Sequence, residues 1–510
     1  MSALHSHLML KCKSPQIQKA GDNLNITVNN EQGKRENETF SKIEKTAYSI
    51  GLQVAQLLIA ETLEKLDLEL LASRDASRYR SKGLRKTCIK TICGEVEFKR
   101  RVYVDLNNLS AENHCVFLLD EAIGINKEGL VTEELCKHIA STICESTYRA
   151  TAMQISKLTG LTISAQGVWN IVQKLGESQE KNAERLSELA KENQGKGIIE
   201  TEILYEENDG IYLHLQGKDR KESGHACEMK AGIAYDGVVW NLNDKGKKRR
   251  ILDNKVAYAG FMDAKEFRQK KEGIVANRFN VDEIVLRVIN GDGAGWVRGK
   301  NSEDTISVLD EFHRNKKITE CIKDKEHANL IRDELLKGEY DKLLEYLSLC
   351  IESTEDENEK EGLRNLYNYY SENKDALSGY YDRGIEIPKT RDPGTIHHAR
   401  LGSMESNIFT LIGNRMKGRR RNWSKKGANH LALILCAYHT TGFDYLFFNT
   451  PEPPIFVEEW VDNGSPLSAA KVKERIGKGY EYPSQMDTTA APYFLKEMAR
   501  MKSLGELSFV

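Results

Sequence analysis

From about Phe40 to Leu71, apolar residues recur at helical spacing: Ile43, Ala47, Ile50, Val54, Leu57 and Leu58, continued by Leu63, Leu66 and Leu70. This period predicts one amphipathic helix or two. Residues 1–38 are polar, rich in Asn, Lys, Gln and Glu, without a sustained period, and read as a loose arm. Between Thr87 and Leu106 the pattern alternates and breaks at Cys93-Gly94-Glu95, which predicts a β-hairpin closing an N-terminal domain of residues 39–145. Helical period returns over residues 146–176. Met153, Ile155, Leu158 and Leu161 belong to a short helix and its turn, with Gly160 at the break. Val168, Trp169, Ile171, Val172 and Leu175 form the apolar side of a second helix opened by Ser164. The pair reads as a helix-turn-helix or as an ordinary corner of two helices; in the first case the second helix enters a major groove. A polar helical linker, residues 177–197, follows.

Residues 198–317 change character. Ile198 to Gln216 reads as two strands around Glu206-Glu207-Asn208-Asp209-Gly210, followed by strands at Met229–Trp240 and Lys255–Met262 and a helix at Ala264–Phe279. The β-branched run Ile284 to Ile289 then predicts a buried strand that stops at Gly291-Asp292-Gly293. Glycines there let the backbone turn sharply and bring a ligand close to the acid, although a strand-ending Asp-Gly turn has the same pattern. Another strand-like run, Ile306–Leu309, leads into Asp310-Glu311-Phe312-His313. Strands, helix and a strand ending in an acid follow the order of a ribonuclease-H-like core. Residues 318–395 are helical in pattern and read as an inserted all-α unit. Residues 396–448 return to the core, with Glu405 opening a helix striped by Ile408, Leu411, Ile412 and Met416. The tail, residues 449–510, receives no role. The fold class is thus a multidomain α/β or α+β chain: a ribonuclease-H-like core with an α-helical insertion, behind a mostly helical region carrying a β-hairpin.

Composition narrows the class only a little. The 510 residues are 40% hydrophobic and 29% charged, with a formal net charge of −2, so any cationic surface is local. Ten scattered cysteines without a CxxC pair argue against structural zinc and fit thiols in a reducing compartment. No apolar run reaches spanning length, so a cytoplasmic, nucleoid-associated protein without a membrane role is expected. Local cationic clusters do occur: Lys99, Arg100 and Arg101 on the hairpin, with Arg74, Arg78, Arg80, Lys82, Arg85 and Lys86 before it. Lys248 and Arg249 lie in a basic loop, and Arg415, Lys417, Arg419 and Arg420 follow Glu405. Each is a candidate for phosphate contact or simply a solvated face. Gln166, Asn170 and Gln173 are candidates for base or phosphate contact from the second helix, and Trp296 and Trp423 either stack on an unpaired base or pack in the core.

Three segments together, NDGIYLHLQ around Asp209, INGDGAGWV around Asp292 and GSMESNIFTLIGNRMKGRRRNWSKKGANHLAL around Glu405, resemble one family. They look like bacterial insertion-sequence transposases of the ISLre type, DDE enzymes allied to the Mutator-like superfamily. The upstream KTICGEVEFKRRVY extends the resemblance over about residues 40–445. It implies binding and Mg²⁺-dependent cleavage and joining of an element's terminal repeats, with Mn²⁺ able to substitute. It also implies double-stranded DNA as partner, a homo-oligomer on that DNA, and Asp209, Asp292 and Glu405 as the metal-binding triad. A C/DxxH motif in Mutator-like relatives matches Asp310 and His313 here; Asp324 and His327 have the same spacing but lie in a helical stretch and rank below. His313 then orients a group near the scissile phosphate or fixes local structure with Asp310. Arg420-Arg421 depart from the family pattern, which carries a glycine before the Trp-Ser pair.

The chemistry makes the same demand. In-line phosphodiester cleavage needs an activated nucleophile and a stabilised leaving oxygen, which two Mg²⁺ ions roughly 3.5–4 Å apart supply. Mg²⁺ is hard and takes carboxylate oxygens. Two other readings share the core: a catalytically silent transposase-derived DNA-binding protein, and a structure-specific nuclease without strand transfer.

Overall fold

The computed structural model describes residues 16–20, 23–27, 40–108, 115–124, 131–194, 196–242, 246–297, 304–418 and 420–440. Arg419 and the expected tail at 449–510 lie outside them. Within the expected loose arm, Gln16–Ala20 pairs antiparallel with Asn23–Thr27.

The centre is a five-stranded mixed sheet. Its strands are β1 (Ile203–His214), β2 (Ala226–Tyr235), β3 (Val256–Gly260), β4 (Leu286–Gly291) and β5 (Thr305–Leu309), in spatial order β3-β2-β1-β4-β5. β1, β2 and β3 form an antiparallel meander, while β4 joins β1 and β5 joins β4 in parallel. The helix Ala264–Arg278 makes the crossover from β3 to β4, opened by Asp263, whose carboxylate caps the Lys265 and Glu266 N–H groups. It packs on the long helix Ala165–Lys191, which packs in turn on Lys425–Tyr438, itself laid on β3. Leu204, Ala234, Val256, Val275 and Phe279 fill the core between sheet and helices.

The two strands expected around Glu206–Gly210 are one. β1 runs unbroken through this polar stretch because each buried group has a partner. Glu206 is held by Lys271 at 2.5 Å and Arg287 at 3.1 Å, and Lys271 also donates to Asn208 at 2.8 Å. Conversely, the single strand expected at Met229–Trp240 is divided at Asp236. Gly237–Leu242 leaves the sheet and pairs with Lys248–Asp253 as a separate two-stranded ribbon.

Helices at Glu311–Cys321, Lys325–Lys337, Tyr340–Ser353 and Glu357–Glu372 form an all-α unit between β5 and the Glu405 segment. Its own core contains Ile318, Ile331, Leu343, Leu347, Leu363, Leu366 and Tyr370, all buried. In the N-terminal part, Phe40–Ser73 is a single helix, packed against a hairpin of Tyr79–Thr91 and Gly94–Asp105. The corner of two helices is present as Tyr148–Thr159 and Ala165–Lys191, with Gly160 at φ +68° ending the first and Ser164 capping the second. The second helix runs on through the expected linker to Lys191. In the first helix Met153 and Leu158 are exposed, whereas Thr151, Ala152 and Ile155 are buried. No described helix is long and apolar enough to cross a membrane.

Candidate functional site

The parallel register sets Gly291 of β4 beside Asn208 of β1, so Asp292 emerges from the end of β4 next to Asp209. Gly293 at φ +85° turns the chain there, and the Ala294 N–H donates to the Asp292 carboxylate at 2.9 Å. The Tyr369 hydroxyl of the helical unit donates to the Asp292 carbonyl at 2.8 Å. The inserted unit therefore braces the turn that carries an acid more than a hundred residues from Glu405.

Glu405 arrives at the start of a helix that continues from Met404 to Met416 with a π-turn at Phe409–Gly413. Such turns shift the helix face by one residue and are common at functional sites. Ile408, Leu411 and Ile412 are buried beneath it. Glu405, Asp209 and His313 bring one potential ligand atom each to within 4.8 Å of one another. His313 lies in the first turn of its helix, where Asp310 accepts the Phe312 and His313 N–H groups and is held by Asn290 at 3.0 Å. Its Nε2 stands 3.8 Å from the Asp209 carboxylate. Asp310 therefore fixes the position of His313, and the imidazole faces the acids.

Burial pushes the Asp209 carboxyl up to about 6, opposed by His313 and by the Gly210 N–H, and assisted by the negative charge of Asp292 and Glu405. Crowded carboxylates of this kind are relieved by a cation. Two carboxylates and an imidazole at this spacing fit a divalent ion, Mg²⁺ through the oxygens and Mn²⁺ through both donor types. Asp292 adds charge from the neighbouring strand end.

Glu207 is a residue that sequence reasoning did not single out. It shares the face of β1 that carries Asp209, two residues on. Its carboxylate is buried, accepts the Tyr235 hydroxyl at 2.5 Å and Asn290 at 3.1 Å, and gathers the N–H groups of Gly402, Ser403 and Met404 at 2.8–3.1 Å. Burial holds its carboxyl above the usual range against these donors. Glu207 thus nails the start of the Glu405 helix to the sheet. The one available signal was an unbroken Glu-Glu-Asn-Asp run inside an otherwise apolar strand.

Several residues expected to contact DNA are engaged within the fold. Arg100 pairs with the buried Asp120 and lies over the Phe117 ring, and Arg101 binds Asp67 on the Phe40–Ser73 helix through both side chain and backbone. They fasten the hairpin to helices because those helices present buried acids to them. Arg415 is only 5% exposed, donates to the Ile143 carbonyl at 2.7 Å, and lies near the Tyr148 and Trp423 rings. Gln173 is buried, since its position falls on the apolar side of its helix. Trp423 is buried and donates to the Met416 carbonyl, and Trp296 packs edge-on to Phe267. Gln166 is exposed beside Asn170 and the two side chains bond each other at 2.9 Å. Lys248, Arg249, Lys417 and Arg420 are exposed. Arg420 adopts φ +54°, the left-handed conformation that a glycine would take without strain, at the departure from the family pattern.

Comparison with known proteins adds a family without an activity. A "UPF0236 protein in vanSb 3'region" from Streptococcus gallolyticus is 24% identical over 439 residues, 83% of this chain and 89% of that protein. Residues 35–445 match the description "Uncharacterised protein family (UPF0236)", a span that contains Asp209, Asp292, His313 and Glu405 together with the elements that position them. The chain belongs to the UPF0236 family.

Proposed function

We propose that the protein is a DDE transposase of the ISLre type, acting as a homo-oligomer on the ends of its element. The observation that carries this reading is the meeting of Asp209, Glu405 and His313, with Asp292 on the adjoining strand end, although Glu405 follows Asp292 only after an entire helical unit. The strand order β3-β2-β1-β4-β5, with an antiparallel meander on one side, is the order expected of a ribonuclease-H-like core and supports the same reading. Interrupting the core before its last acid costs little if that acid is anchored on return, which Glu207 does.

A bound divalent cation would supply activation of the attacking water or 3′-hydroxyl and stabilisation of the leaving oxygen. Asp209 and Glu405 would hold it together with His313, and Asp292 would add charge from the adjoining strand end. Asp310, capping the helix that carries His313, would keep that imidazole directed at Asp209. The exposed Lys417 and Arg420, past the Glu405 helix, are the candidates for contact with the phosphates of the bound strand, and Gln166 and Asn170 remain the candidates for reading the ends.

The test is incubation of the full chain with Mg²⁺ and DNA carrying the element's ends. Joined products are expected. Cleavage without joining would mean a nuclease, and a shifted but intact band would mean a binding protein, either of which overturns the proposal.

A further inference from the structure

The ribbon of Gly237–Leu242 and Lys248–Asp253 has no role in the site as described. Its root is fixed: Arg391 binds Asp236 at 3.2 Å and Asp253 at 2.7 Å, and Val238 exchanges backbone hydrogen bonds with His397. Beyond the root it is solvent-exposed, and its composition is unusual for a solvated ribbon. Trp240 is 53% exposed and Leu242 65% exposed. Lys248 and Arg249 are exposed, and the acid among the ribbon's described residues, Asp253, is already paired with Arg391.

The register decides which way the aromatic ring faces. Trp240 lies opposite Arg250, and Leu242 opposite Lys248, so these four share one face. Arg250 identifies that face, because its guanidinium donates to the Arg400 carbonyl at 2.9 Å and the Ser403 hydroxyl at 2.8 Å, two residues before Glu405. An exposed tryptophan and a lysine thus sit on the side of the ribbon that abuts the Glu405 segment, with Arg249 on the other face. Trp423 is buried and Trp296 packs edge-on to Phe267 with the Lys230 ammonium over its ring, whereas Trp240 is open to solvent.

We propose that this ribbon seats an unpaired DNA strand beside the acids, Trp240 stacking on one base and Lys248, on the same face, contacting its phosphates; this rests on the transposase reading. Aromatic rings accept any base through its π-face, while lysine and arginine follow the backbone. Arg250, already engaged with Ser403, ties the seated strand to the segment that presents Glu405.

The experiment uses the full chain carrying Asp209→Asn, so that DNA stays intact, and two probes of arbitrary sequence: a blunt duplex and a fork with 2-aminopurine in its unpaired arm. Trp240→Ala is expected to weaken fork binding about tenfold and to change 2-aminopurine emission, with Trp240→Phe retaining most of both. Blunt-duplex binding should change less than about twofold. Lys248→Ala should flatten the dependence of log affinity on log salt by about 0.7 on single-stranded DNA, and Arg249→Ala, on the other face, should leave it unchanged. Fork binding unchanged by Trp240→Ala overturns the proposal, as does an equal loss on both probes. If fork binding depends on Trp240 yet the unsubstituted chain with Mg²⁺ cuts no DNA, the ribbon stands and the transposase reading falls. If the chain cuts and joins DNA while Trp240→Ala binds forks normally, the ribbon falls alone.

Discussion

Replacing Asp209 by Asn should stabilise the cation-free protein at neutral and alkaline pH while abolishing its chemistry. The Asp209 side chain is 14% exposed, and burial together with Asp292 and Glu405 lifts its carboxyl from 3.8 to about 6 against the pull of His313. That displacement corresponds to roughly 3 kcal/mol of excess free energy in the ionised folded state. The sign follows from proton binding. Between 3.8 and about 6 the folded chain holds this proton more tightly than the unfolded chain, so stability falls as pH rises through that window and stays lowered above it. Asn carries no charge and escapes the penalty. The variant should therefore melt higher by several degrees at about pH 8 in chelator, with little difference near pH 4. Adding Mg²⁺ or Mn²⁺ should raise the unsubstituted protein's midpoint and move the variant's much less, because the cation neutralises the repulsion that Asn has already removed. Scanning fluorimetry across pH, with and without cation, reads both effects. A variant melting at or below the parent at about pH 8 in chelator would refute the argument that burial, aided by Asp292 and Glu405, penalises the Asp209 charge.

Asp292→Asn and Glu405→Gln should each abolish Mg²⁺-dependent cleavage in an end-labelled DNA assay while leaving the fold intact; residual cleavage within about tenfold of the parent would remove that residue from the site. Glu207→Ala should cost at least about 3 kcal/mol in denaturant unfolding, because the N–H groups of Gly402, Ser403 and Met404 lose their acceptor, and Glu207→Gln should cost less. Arg415→Ala should lower stability by about 2–4 kcal/mol and leave the DNA affinity of the folded protein unchanged, whereas Lys417→Ala should do the reverse; titrations at two salt concentrations separate them.

Local chemistry was legible in the linear chain wherever a short-range rule decides the outcome. The apolar run ending at Gly291-Asp292, the helical unit between the acids, Gly160 and Ser164 at the helix corner, and Glu405 at a helix start all follow from periodicity, caps and turn residues. The meeting of Asp209, His313 and Glu405 needed more, namely the parallel pairing of β1 with β4 and the anchoring of Gly402–Met404 on Glu207. The polar run Glu206–Gly210 looked like a turn because a chain of side chains that each demand a partner is normally solvated. It is a buried strand because Lys271, Arg287, Tyr235 and Asn290 converge on it from elsewhere in the sequence. The arginines show the same limit. Arg100, Arg101 and Arg415 look identical in sequence to Lys417 and Arg420, and what separates them is whether a distant acid or carbonyl faces them after folding. Charge is a property of the residue, whereas its availability to a ligand is set by the partners that packing brings to it.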